Sequence, residues 1–86
     1  MKVVIELPFE HHALLLKYAS ENSPAFSMLK NGVKLSRGEN GVQTELVVML
    51  CDEEQANMLR RSAAHFCPNA VAEIDRAIRL SRFKLP

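Results

Sequence analysis

His65 and Cys67, two residues apart and directly ahead of Pro68, are the first place where this chain could do chemistry. With His11, His12 and Cys51 they supply the donor types that zinc prefers, but zinc takes four ligands, usually as two closely spaced pairs. His65-x-Cys67 has an unusual spacing, and the adjacent His11 and His12 cannot both face one ion from a regular helix. On a helix turning about 100° per residue, His65 points roughly 120° away from the apolar stripe of its own segment, beside Met58 and Arg61. A cation at the preceding turn is a poor companion for a metal ligand. The stretch therefore reads as an architectural corner, with His65 exposed and Cys67 half-buried, and no metal or other cofactor is expected.

The remaining reactive groupings have simpler explanations. His11 and His12 fall within the apolar arc of a helical segment, at the edge of a core, and no serine or cysteine nucleophile is paired with either. Asp52, Glu53 and Glu54 could do acid–base work or bind a divalent ion. Acidic residues are also what the positive end of a helix dipole favours, and that explanation is sufficient. The chain has only 3 glycines, and none forms a glycine-rich loop after a strand that would cradle a phosphate. The sequence reads as non-enzymatic.

One charged grouping remains. Arg76 and Arg79 share a side of the last helical segment with Phe83, with Arg82 and Lys84 nearby, and Arg60 and Arg61 lie on the segment before. A basic patch with an aromatic in it can grip phosphates and stack bases, so nucleic-acid binding is the alternative function. The competing reading is a solvated helix face in which Asp75 pairs with Arg79 four residues on.

Composition narrows the field. The 86 residues suit one domain, 1–86, and 48% apolar against 24% charged residues argues for a folded chain rather than disorder. A formal charge of +1 gives no global field to draw in nucleic acid or an anionic membrane. The opening KVVIEL is too short for a signal-peptide core, and Glu6 interrupts it. No apolar run approaches the roughly 18 residues that cross a bilayer, so the expected compartment is the cytoplasm. There, two cysteines read as small buried hydrophobes rather than as a disulfide.

The elements that must position these residues follow from periodicity. KVVIELP alternates, with Val3, Ile5 and Leu7 on one side, and predicts a strand. Pro8 suits a first helical turn, and residues 9–22 carry a helical arc of Phe9, Leu15, Leu16, Tyr18 and Ala19. Ser23 before Pro24 caps a short helix through Lys30. Asn40-Gly41 marks a hairpin with an even loop, because both central positions of a type I′ turn need positive φ. Its register sets Leu35 opposite Leu46 and Val33 opposite Val48. Asp52 and Gln55 form a capping box for a helix whose buried stripe is Ala56, Leu59, Ala63 and Phe66. Pro68 breaks that helix, and a last one from Ala70 to about Ser81 buries Val71, Ile74, Ala77 and Ile78.

The order β-α-α-β-β-α-α predicts an α+β fold: a three-stranded antiparallel sheet, order 1-3-2, with helices packed on one face. The covered face is expected to hold Val3, Ile5, Leu7, Leu35, Leu46, Val48 and Leu50. Val4, Val47 and Met49 then point to the bare side. An uncovered apolar strip usually marks a partner surface, unless the last helix or the FKLP tail folds across it. The expected function is an interaction domain that self-associates, as a homodimer, or binds a protein partner through Val4, Val47 and Met49.

Overall fold

The computed structural model describes residues 2–83. Strand β1 (Lys2–Pro8) leads into helix α1 (Phe9–Tyr18) and helix α2 (Pro24–Lys30). A hairpin of β2 (Val33–Glu39) and β3 (Val42–Asp52) follows. Helix α3 (Glu53–Phe66), a single 3-10 turn at Pro68–Ala70 and helix α4 (Val71–Arg82) complete the chain. The sheet is antiparallel throughout, in the order β1-β3-β2, so the expected α+β topology is the one observed.

Local chemistry sets the boundaries. The Ser23 side chain accepts a hydrogen bond from the Ala25 amide at 3.2 Å and starts α2. Asp52 accepts from the Gln55 amide at 2.7 Å, and the Gln55 side chain accepts from the Asp52 amide at 3.1 Å. That closes the capping box at the start of α3. Asn40 and Gly41 both take positive φ, 53° and 78°, and Glu39 faces Val42 across the two-residue loop. Helix α1 ends at Tyr18, four residues earlier than periodicity suggested, because Ala19 is already extended. His12 fastens the end of α2 to α1: its Nε2 donates to the Leu29 carbonyl at 2.7 Å. That carbonyl is among the last of its helix, which α-helical geometry leaves without an intrahelical partner.

The core lies between the sheet and the helices. Val3, Ile5 and Leu7 on β1 share the covered face with Val47, Met49 and Cys51 on β3. They pack against Leu15, Met28, Leu29, Ala56, Leu59, Ala63, Ile74 and Ile78. Gly32 leaves room for this arrangement. A Cβ there would stand 2.5 Å from Val47 Cγ1 and 3.3 Å from both His12 Nε2 and the Leu29 carbonyl.

One expectation is reversed. The hairpin register is as predicted, with Leu35 opposite Leu46 and Val33 opposite Val48. The hairpin is turned over, however. Val47 and Met49 are each 1% exposed and lie in the core, while Leu46, Val48 and Leu50 point to the opposite face. The cause is the β1 pairing, Ile5 with Met49 and Leu7 with Val47. Residues directly opposite each other share a face, so the apolar side of β1 carries Val47 and Met49 in with it.

Candidate functional site

The bare side of the sheet carries Lys2, Val4 and Glu6 from β1, Leu46, Val48 and Leu50 from β3, and Val33, Leu35 and Arg37 from β2. Of the three residues expected there, Val4 alone is in place. Leu50, its partner on β3, is 57% exposed, and Val33 and Leu35 are exposed beside it. Leu46 and Val48 are half-buried. The surface is thus larger and more apolar than the sequence reading allowed, and its centre lies on the central strand.

Helix α4 borders this face rather than covering it. It runs along β1, and Ile74, Ala77 and Ile78 turn into the core. Arg82 near its end bonds to Glu53, which follows the Asp52 that pairs with Lys2. The end of α4 therefore sits at the Lys2 end of the sheet, and Glu73 lies toward the Pro8 end. Between the helix and the sheet is a trough of about 620 Å³ whose lining includes Val4, Leu46, Glu73, Arg76, Ala77 and Leu80. Glu6 and Arg37 meet across its floor at 3.5 Å, an exposed pair of the kind that contributes little to stability. Glu73 makes no ion pair among the described residues, and its Oε2 is buried there without a hydrogen-bond donor. Residues 84–86, the end of the FKLP tail, lie outside the described residues.

The arginines do not form one patch. Arg76 faces the trough, whereas Arg79 lines a second depression, between α3 and α4, with Arg60, Arg82 and Asp75. Arg60 bonds to Asp75, which replaces the expected Asp75–Arg79 pair along the helix, and Arg82 is held by Glu53. Phe83 is 77% exposed at the end of α4, and Arg61 is exposed on α3. Two of the arginine charges beside Arg79 are thus met by carboxylates, and the basic set is dispersed, with Arg61 and Phe83 lining neither depression.

The reactive side chains stay apart. Among the described residues, no three of the His, Cys, Asp and Glu side chains gather where a metal ion could be held. Cys67 is buried at the corner before Pro68, as a free thiol, and His65 is exposed with its ring edge-on to Phe66. Cys51 is also a free, buried thiol that donates to the Val3 carbonyl at 3.7 Å. Burial, assisted by Asp52, pushes this thiol up to about 11. A thiol so disposed is a packing group rather than a nucleophile. No helix among the described residues is long and apolar enough to cross a membrane.

Comparison with protein-family models, with curated proteins and with solved structures finds no match to this chain.

Proposed function

We propose that the chain is a small non-enzymatic interaction domain of the cytoplasm, which self-associates or binds a protein partner through the open face of its sheet. The observation that carries this reading is the uncovered run of Val4, Leu50, Val48, Val33, Leu35 and Leu46 across three strands. Monomeric proteins rarely leave a contiguous apolar patch beyond a few hundred Å² bare, and larger ones mark interaction sites. Lys2, Glu73 and Arg76 border this face and the Glu6–Arg37 pair crosses it, so the apolar residues lie among polar groups as in an interface.

Photo-crosslinking in the cells that make the protein tests it. A benzophenone side chain at position 50 is expected to form a protein adduct, and the same group at the exposed position 54 on α3 is not. Failure to form an adduct at position 50 sinks the reading.

A further inference from the structure

We infer that the occupant of the open sheet face is a second copy of this chain, related by a two-fold axis that runs along the strands between the two sheets. The inference rests on the reading of that face as a protein-binding surface, and shape, area and charge each lead to it.

In cross-section the molecule is L-shaped, with the sheet as floor and α4 as a wall beside β1. Among the described residues no helix packs along β2 to form a second wall. A flat sheet from an unrelated protein would meet that wall on one side and leave the other side open. A rotation about an axis along the strands lays β3 over β3 and β1 over the partner copy's β2. Each α4 then stands just outside the other copy's β2, and the two sheets can close to the usual spacing of about 10 Å. The other in-plane two-fold axis, across the strands, sets wall on wall and holds the sheets apart.

The area is of the right order. Three strands spaced about 4.8 Å, with roughly seven residues rising about 3.3 Å each, give a floor near 330 Å² in projection. A helix about 10 Å wide beside it brings the footprint to roughly 550 Å² before corrugation is counted. Side-chain relief raises the accessible area toward the roughly 800 Å² per partner of a stable interface. The axis also brings Leu50 onto Leu50 and Val48 onto Val48, so Leu50, exposed in the single chain, is buried by its own equivalent.

The charges agree. Both strand direction and position along the strands are kept by this axis. Glu73, toward the Pro8 end of α4, therefore faces the part of the partner copy's β2 that carries Arg37. Among the described residues Glu73 has no cation, and Arg37 has one carboxylate, Glu6, in an exposed contact that it exchanges for Glu73 of the copy. The rim offers one carboxylate and one guanidinium to its copy, twice over.

Light scattering and sedimentation of the purified full chain, from low to high micromolar, test the inference. A mass of twice 9.7 kDa is expected as concentration rises. Leu50→Lys and Val4→Lys, both at exposed positions, should each weaken association at least about tenfold while circular dichroism stays native. Glu73→Arg and Arg37→Glu should each weaken it, and the double variant should recover most of the loss. A wild-type monomer throughout, or a dimer indifferent to Leu50→Lys and Val4→Lys, overturns the inference. With a monomer in hand, the crosslink at position 50 separates the two failures. An adduct to a different, identified protein leaves the face as a binding surface and removes only the second copy, whereas no adduct removes both.

Discussion

Cys51 is the side chain in which burial and ionisation are most directly opposed. Its thiol is raised from 9.0 to about 11 by burial first and by Asp52 second. Between those two values the unfolded chain loses the proton and the folded chain keeps it, so stability falls as pH rises. The contribution is fully present below pH 9 and is lost by about pH 11, on the order of 2 kcal/mol in all. Urea denaturation at pH 7 and near pH 10.5 should show this loss in the wild type, and a smaller one in Cys51→Ala, where other groups alone titrate. Two residues behaved differently from their sequence reading because a neighbour outside their own helix took them. Phe66, expected in the buried stripe of α3, is 40% exposed and lies flat against Tyr18. Asp75 prefers Arg60 across the helix pair to Arg79 along its own helix. Periodicity ranks partners within a segment and has no access to partners on another.

Strand β3 is the element on which the functional surface turns, and it has two apolar sides. Val47, Met49 and Cys51 alternate with Leu46, Val48 and Leu50, so alternation alone does not say which side is covered. The hairpin partner misleads, because β2 has its only apolar pair, Val33 and Leu35, on the bare side. An edge strand can do this when its other side needs little cover. Here Lys34 lies over the Phe9 ring at 4.5 Å, and its side chain covers the start of α1. The signal that could have decided the matter is β1, which has one wholly apolar side, Val3, Ile5 and Leu7, and is the strand whose pairing fixes β3. A matched pair of substitutions checks the face assignment. Val47→Lys buries an unpaired charge and should cost about 4 kcal/mol or more, enough to threaten a domain of this size. Leu50→Lys, three residues on and of opposite parity, should stay within about 0.5 kcal/mol when the chain is dilute. Chemical denaturation of both variants measures the contrast. The caps, the hairpin register and the strand order were legible because each depends on a few neighbouring residues or on connectivity. The composition of the bare face was not, because it depends on a contact between the two ends of the sheet's chain path.

At the scale of the whole molecule, the fold has a layer too few. The protein measures 39 × 38 × 21 Å, which is the thickness of one sheet and one row of helices. Every described helix packs on the covered side or along an edge, so the second side of the central strand has no helix over it among the described residues. For a chain of 86 residues, with its high ratio of surface to volume, covering that side adds apolar burial that the monomer lacks. Association and stability are then linked, because whatever binds the native state alone raises its melting temperature with concentration. The thermal midpoint of the wild type should climb between about 5 and 200 μM, by a few degrees for each kcal/mol gained. That of Leu50→Lys should not move, and differential scanning calorimetry at several concentrations reads the difference.

The Tyr18–Phe66 stack has a spectroscopic use. The rings lie 4.9 Å apart and 6° from parallel, and join the end of α1 to the end of α3. The chain has one tyrosine and no tryptophan, so its tyrosine emission and the tyrosine band of its near-ultraviolet ellipticity come from this corner alone. The protein thus carries a single-site optical label on the helical side, close to the covered edge of the core and away from the open sheet. A change of signal there on heating reports the helices parting, separately from anything that happens on the far side of the sheet.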